Sequence, residues 1–359
     1  MPTIRKFYLR LIEKGPDSLL GQVVFVGLWP LSCLYGLGVW LRLCAYSLSL
    51  KKTYHASVPV LSVGNLSVGG TGKTPMADFL AKWMVQHNVP AAIVSRGYGG
   101  NYSASVVRVK PSGKAATSSA ECGDEPFLLA RRNPSVPVFV ARQRALGVEA
   151  AEKAGAKLII LDDGFQHRAV YRDLDIVLLD SQKPFGNGHL LPAGQLREPQ
   201  SALQRSHLIV MTRMQSDKNN ASMMSKPTMY CRHLMSETLM SLSGDVVNWE
   251  ALAGKSCVAF AGIARPDEFF ADLKTRNLTL IDEIPLADHQ VYDAELVQRL
   301  ALAGQVCDAL ITTEKDAVKF SGTEFPVPCY QVGVELVFED TSLLDTLLQE
   351  LIAKDSARG

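Results

Sequence analysis

The residues best suited to chemistry lie in the run Ser67-Val68-Gly69-Gly70-Thr71-Gly72-Lys73-Thr74. Closely spaced glycines let a backbone turn its N–H groups inward around phosphate oxygens, and a helix opening at Lys73 adds the positive potential of its N-terminus. A lysine at this point reaches the β- and γ-phosphates, and the Thr74 hydroxyl suits Mg²⁺. Such loops usually begin with glycine; here that position is Ser67, with Gly69-Gly70 supplying flexibility further on. Pro75 fits an early helical position, where its missing N–H costs little. The expected chemistry is triphosphate binding and phosphoryl transfer.

Phosphoryl transfer also needs carboxylates for the metal and a group that orients the nucleophile. The apolar run 158–161 delivers Asp162-Asp163 at its end, so either carboxylate could hold Mg²⁺ directly or through water. The run 176–179, ending at Asp180, competes for that role, whereas the nearby Gln166-His167 favours the first. Gly123-Asp124-Glu125-Pro126 places two carboxylates at a helix start. Helix capping is the simple explanation there, and Asp124 as general base for a substrate hydroxyl is the functional one. Asp288-His289, with Tyr292 following, is either an exposed polar stretch or an imidazole–carboxylate pair able to assist catalysis. Arg142 and Arg144 are either helix-surface charges or contacts to a substrate phosphate.

The elements that must position these residues are visible in the hydrophobic pattern. The chain has 359 residues, more than one typical domain. Its 47% hydrophobic and 20% charged content is ordinary for a globular protein, and a net charge of +1 argues against a nucleic-acid partner. The cysteines (33, 44, 122, 231, 257, 307, 329) form no C-x-x-C pair and no zinc spacing, which suits reduced thiols. Apolar runs at 58–63, 91–95, 136–140, 158–161, 176–179 and 208–212 alternate with helical patterns at 76–86, 125–132 and 146–154. The expected fold is therefore α/β and P-loop NTPase-like, a mostly parallel sheet with helices on both faces. Residues 215–250 are polar and methionine-rich and read as a linker or crossover. A second series at 257–261, 296–302, 309–313 and 343–352 reads as a smaller α/β domain. The domain scheme is a membrane-associated segment 1–52, a P-loop kinase domain 53–214, a linker 215–250 and a C-terminal domain 251–359.

One segment departs from the soluble pattern. Residues 19–41 carry no charge and are long enough to cross a bilayer, with Trp29, Tyr35 and Trp40 as interfacial aromatics. Basic residues flank both sides, and Pro30 with four glycines weakens a straight helix. A helical hairpin or bent anchor in the cytoplasmic leaflet is the favoured expectation, with a spanning helix next. A cleaved signal peptide and an apolar core helix are the alternatives. Arg5, Arg10, Arg42 and Lys51 would favour anionic lipid, each by about 1 kcal/mol near the surface.

Taken in order, the loop SVGGTGKT, Ser95-Arg96-Gly97-Tyr98-Gly99-Gly100, Gly123-Asp124-Glu125-Pro126, Asp162-Asp163-Gly164-Phe165-Gln166-His167, residues 187–194 (NGHLLPAG), Leu196-Arg197-Glu198-Pro199, Asp288-His289 and Thr313-Glu314-Lys315-Asp316 resemble the tetraacyldisaccharide 4'-kinase family. The resemblance runs from the apolar segment to about residue 320. It implies ATP- and Mg²⁺-dependent phosphorylation of the 4'-hydroxyl of a tetraacylated glucosamine disaccharide 1-phosphate, forming lipid IV-A in lipid A biosynthesis. It implies two α/β domains with the active site in the cleft between them, at the cytoplasmic face of the bacterial inner membrane. By the same resemblance Asp124 is the base and His289 assists it. Asp162, Asp163, Gln166 and Glu198 surround metal and phosphates, and Arg197 steadies charge nearby. Gln195 stands where the family pattern has proline. The implied partners are a membrane-embedded glycolipid substrate and anionic lipids, with no nucleic acid and no obligate protein partner.

Two other functions fit a phosphate loop. A GTPase or metal-insertion chaperone would carry an N-K-x-D or T-K-x-D element, but Thr313-Glu314-Lys315-Asp316 has the wrong spacing, and metal-delivery clusters are missing. A non-catalytic membrane-bound nucleotide sensor would not need Asp124 or His289.

Overall fold

The computed structural model describes residues 2–113, 117–214, 226–288, 290–320 and 323–356. In chain order the first elements are α1 (Pro2–Lys14), α2 (Leu19–Ser47), β1 (Val60–Asn65), α3 (Lys73–Gln86), β2 (Ala91–Ser95), β3 (Val107–Arg108), α4 (Ser119–Cys122), α5 (Asp124–Arg132) and β4 (Val138–Val140). Next come α6 (Arg144–Lys153), β5 (Leu158–Asp162), β6 (Leu174–Asp180), β7 (Leu208–Thr212), β8 (Thr228–Ser241) and β9 (Val246–Asn248). The last are β10 (Ser256–Ala261), α7 (Pro266–Lys274), β11 (Thr279–Pro285), α8 (Ala294–Gly304), β12 (Ala309–Thr313), α9 (Glu314–Ala317), β13 (Cys329–Phe338) and α10 (Ser342–Ser356).

These elements form two compact units, neither continuous in sequence. The first comprises Met1–Arg96, Ala141–Arg232 and Val337–Gly359; the second comprises Gly97–Val140 and His233–Leu336. The contiguous scheme expected from sequence therefore does not coincide with the units. Residues 97–140 leave the loop-bearing unit, and α10 joins it, through Trp83 Nε1 donating to Asp345 Oδ1 at 2.8 Å and the Phe79–Phe338 ring pair at 4.8 Å. Such long-range contacts leave no trace in local periodicity.

In the first unit the strands run in the order β7-β6-β1-β5-β2, all parallel, with the start of β8 added beside β7. Every residue of β1, β2, β5, β6 and β7 is buried, as expected for strands covered on both faces. The chain leaves β1 through the phosphate loop and α3 and returns at β2, beyond β5. Strand order thus reverses beside β1, where ligands bind outside the carboxyl ends of such sheets. The β1–β5 register, Val63 opposite Asp162, brings the loop and Asp162-Asp163 to that same edge.

The second unit has a parallel sheet in the order β11-β10-β12-β13, and antiparallel pairs β3–β4 and β8–β9. Its cores gather around Phe260, Leu300 and Leu310, and around Phe270, Leu273 and Ile311. The expected linker 215–250 instead contains the 14-residue strand β8, whose alternating burial hides a strand among polar residues. Residues 215–225 lie outside the described residues.

The apolar segment is one continuous helix rather than a hairpin. Ser18 caps α2 by accepting from Gly21 N at 3.1 Å, and Pro30 lies inside it. Contacts to the first unit lie on both sides of Pro30: Phe25 packs edge-on to His189 at 5.0 Å, Ser32 Oγ donates to Leu190 O at 2.8 Å, and Tyr35 OH donates to Arg197 O at 3.0 Å. The remaining faces expose Leu20, Val23, Val26, Trp29, Leu37 and Trp40. By length and composition alone α2 can cross a membrane. Arg42 and Arg10, expected to favour anionic lipid, also have protein partners: Arg42 pairs with Glu198 at 3.1 Å, and Arg10 with Asp17 at 3.6 Å.

Candidate active site

The phosphate loop occupies residues 66–72 of the first unit, between β1 and α3. Gly72 caps α3 in a left-handed conformation (φ 87°), which requires glycine there for an unstrained turn. Ser67 needs no such freedom. It forms an antiparallel bridge with Leu196, while Val68 N donates to Gln195 O at 2.9 Å and Arg197 N to Leu66 O at 2.7 Å. The serine in a glycine position is thus held in extended pairing, to which Gln195 contributes its carbonyl. Within the loop Asn65 Nδ2 donates to Thr71 Oγ1 at 3.0 Å.

Lys73 opens α3 with its Nζ 3.8 Å from Asp163 Oδ1. Arg197 holds the same carboxylate, its NH1 at 2.9 and 3.0 Å from the two oxygens. Asp163 turns out of β5 with a positive φ of 51°, a region aspartate tolerates better than most residues. Burial alone would raise its pKa, but the charges of Lys73 and Arg197 outweigh burial and hold it below the usual carboxylate value. Asp162, buried at the end of β5, accepts from Ser95 Oγ at 3.1 Å, and Arg144 NH2 donates to its carbonyl at 3.0 Å. Arg144 is 2% exposed, so it is neither a surface charge nor an open phosphate contact but a brace behind Asp162. His167 is pushed down to about 4 by burial, aided by the charge of Arg144, and is a neutral imidazole near pH 7. The competing Asp180 is paired with Arg213 at 3.0 Å.

The expected metal group comes together in part. Gln166 Nε2 donates to Asn65 O at 2.8 Å, and the buried oxygens Gln166 Oε1 and Asn65 Oδ1 have no hydrogen-bond partner. With Thr74, Asp162 and Asp163, they supply hard oxygen donors of the kind Mg²⁺ takes beside phosphates and water. Among the described residues no three His, Cys, Asp or Glu side chains gather as a metal cage. Glu198 is engaged elsewhere: fully buried, it accepts from Arg42 NH2 at Oε1 (3.1 Å) and from Arg205 NH2 at Oε2 (2.7 Å).

The second unit holds the candidate base. Gly123 (φ 92°) caps α5 and no side chain closes the turn, so Asp124 is not a capping residue. A Cβ at Gly123 would also meet Tyr98 O at 2.8 Å, which ties the Gly97–Gly100 loop against the start of α5. Asp124 Oδ2 lies 3.4 Å from Lys319 Nζ, which also sits 3.4 Å from Asp316 Oδ1 and donates to Gln290 O at 3.2 Å. The Thr313–Asp316 motif is the rack for this cluster. Asp316 is fully buried and accepts from Gly262 N, Thr313 Oγ1 and Tyr292 OH at 2.9, 2.7 and 2.8 Å. Lys315 bridges Glu125 at 3.5 Å and Asp288 at 3.1 Å. Burial would lower the Lys315 pKa, but Glu125 and Asp288 hold it above its ordinary value. Glu314 forms an ion pair with Arg132. His289 lies outside the described residues. Sequence reasoning missed Ser95, Arg205 and Lys319 as partners and the bracing role of Arg144. Lys319, three residues after Asp316 in the turn that follows α9, carried a local signal.

The tetraacyldisaccharide-1-P 4'-kinase family model matches residues 24–353. A tetraacyldisaccharide 4'-kinase of Syntrophotalea carbinolica is 46% identical over 355 residues, covering 98% of this chain and 99% of its own length. One of Geobacter sulfurreducens is 39% identical over 336 residues, covering 93% and 94%. The crystal structure of LpxK from Aquifex aeolicus in complex with ATP superposes with a TM-score of 0.75 at 30% identity, covering 92% of this chain and 99% of that one. With the phosphate loop, the Asp162-Asp163 edge and the Asp124 cluster in place, the chain belongs to the tetraacyldisaccharide-1-P 4'-kinase family.

Proposed function

We propose that this protein transfers the γ-phosphate of ATP to the 4'-hydroxyl of a tetraacylated glucosamine disaccharide 1-phosphate, forming lipid IV-A for lipid A. The observation that carries this reading is the family match over residues 24–353, joined to a phosphate loop that opens a helix at Lys73. The loop N–H groups and the α3 N-terminus cradle the triphosphate, and Lys73 balances its charge. Asp163, held by Arg197, keeps Lys73 aligned between turnovers. Asp124 takes the proton of the acceptor hydroxyl as it attacks, with Lys319 fixing the carboxylate's orientation and His289 assisting. Bound Mg²⁺ would neutralise charge on the phosphoryl oxygens, with Thr74, Asp162, Asp163 and Gln166 as the residues to hold it. Glu198 has both oxygens on guanidinium groups and is better suited to anchoring α2.

The acceptor is acylated and stays in a bilayer, and the outer faces of α2 offer an apolar surface to the same leaflet. The inward stripe bonds to protein from Phe25 to Arg42, about 25 Å of helix at about 1.5 Å per residue. Polar bonds from Ser32 to Arg42, about 15 Å of that length, favour a monotopic helix on the cytoplasmic face of the inner membrane over a spanning one, with anionic lipid as neighbour. A GTPase reading is disfavoured because Asp316 is fully buried and committed to Gly262, Thr313, Tyr292 and Lys319.

The test is transfer of labelled γ-phosphate to the lipid acceptor in detergent, with Mg²⁺ or a chelator and with GTP as alternative donor. Labelled lipid formed from ATP and lost with chelation is expected; no labelled lipid under any condition would overturn the kinase reading.

A further inference from the structure

We infer that Tyr35 and Arg42 of α2 are positioning residues for the phosphate loop, so that triphosphate binding depends on how this apolar helix is seated. A helix that served only to meet lipid would have no use for an inward stripe of Ser32, Tyr35 and Arg42. All three bond to one short segment of the first unit. Ser32 Oγ reaches Leu190 O at 2.8 Å, Tyr35 OH reaches Arg197 O at 3.0 Å and Arg42 NH2 reaches Glu198 Oε1 at 3.1 Å.

That segment is also what shapes the loop. Leu196 bridges Ser67, Gln195 O accepts from Val68 N at 2.9 Å, and Arg197 N donates to Leu66 O at 2.7 Å. Arg197 therefore has its carbonyl on Tyr35, its N–H on the loop's first residue and its guanidinium on Asp163, the carboxylate 3.8 Å from Lys73. Arg42 secures the next residue through a carboxylate with no exposure at all. Removing Arg42 leaves that buried charge half paired, a state that drives local rearrangement. The rearrangement falls on residues 197–198, and so on the loop entrance and the counter-ion of Lys73. Neither α2 residue needs to touch nucleotide for this coupling; each acts through residues 195–198. A chain of packed, hydrogen-bonded groups with one rigid element at its end is a physical route for such coupling.

The inference rests on the proposed binding of ATP, and the experiment separates the two. Full-length wild type, Arg42→Met, Arg42→Lys and Tyr35→Phe are compared in detergent for melting temperature, Kd of a fluorescent ATP analogue, and KM for ATP and for lipid acceptor. Arg42→Met should weaken nucleotide binding about tenfold, and Tyr35→Phe about threefold. Arg42→Lys should restore most of the affinity, and acceptor KM should stay within about twofold of wild type. Unchanged nucleotide Kd in Arg42→Met with a lowered melting temperature would overturn the coupling and leave a purely structural fastening. Equal weakening toward nucleotide and acceptor would overturn it as general loosening. If Arg42→Met does not fold, Tyr35→Phe decides by the same readouts. A wild type that binds no nucleotide would overturn the kinase reading itself, and the coupling with it.

Discussion

Replacing Asp316 by alanine tests whether the second unit's charge cluster is held from beneath by this one carboxylate. Asp316 is fully buried and has four partners: Gly262 N at 2.9 Å, Thr313 Oγ1 at 2.7 Å, Tyr292 OH at 2.8 Å and Lys319 Nζ at 3.4 Å. Each hydrogen bond to a charged acceptor contributes about 1.5–3 kcal/mol, but the sum overstates the loss because neighbouring sites are not additive. Lys319 retains Asp124 at 3.4 Å, whereas Gly262 N–H and the Tyr292 hydroxyl lose their carboxylate partner in a buried site. The net cost should therefore be about 3–5 kcal/mol for Asp316→Ala and about 1–3 kcal/mol for Asp316→Asn, which keeps the shape and one acceptor oxygen. Urea denaturation followed by circular dichroism measures both, with an unchanged m-value showing that the same surface unfolds. An alanine variant within about 1 kcal/mol of wild type would refute the claim that Asp316 anchors the cluster.

Three further outcomes follow from the same geometry. Asp124→Asn should lower kcat about a hundredfold or more while nucleotide Kd stays near wild type, and turnover within a few-fold of wild type would remove Asp124 as base. Gly72→Ala forces a side chain into a left-handed turn at φ 87°, costing about 1–2 kcal/mol; weakened nucleotide binding with a lower melting temperature is expected, measured by titration and thermal unfolding. Lys315 has a folded-state pKa above its ordinary 10.5, so stability from its ion pairs is complete below 10.5 and is lost as pH rises through the folded value. Lys315→Met should flatten the alkaline end of the stability–pH curve, and an unaltered curve would show that these pairs contribute nothing.

Much of the first unit was legible because its determinants are local. Fully buried parallel strands read as unbroken apolar runs, and β1, β2, β5, β6 and β7 lie close to where those runs stand. The loop from Ser67 to Thr74 was legible for the same reason, since glycine spacing and a following helix are properties of adjacent residues. The long strand β8 was not, because a strand exposed on one side alternates polar and apolar residues and resembles a linker when rich in methionine.

What the amino-acid order determined alone was the chemistry on offer: a phosphate loop, strand-end carboxylates, a candidate base at a helix start and one uncharged helix. Which group serves which purpose was decided by tertiary structure, because a charged side chain acquires its role from the partner it meets. Arg42 looked like a lipid contact and is the counter-ion of Glu198, and Glu198 looked like a metal ligand and carries two guanidinium groups. Arg144 looked exposed and is a buried brace for Asp162, and Asp124 looked like a possible cap and is paired with Lys319. Apart from Glu198–Arg205, seven positions apart, these pairings join residues 18 to 195 positions apart, and only folding brings them within reach.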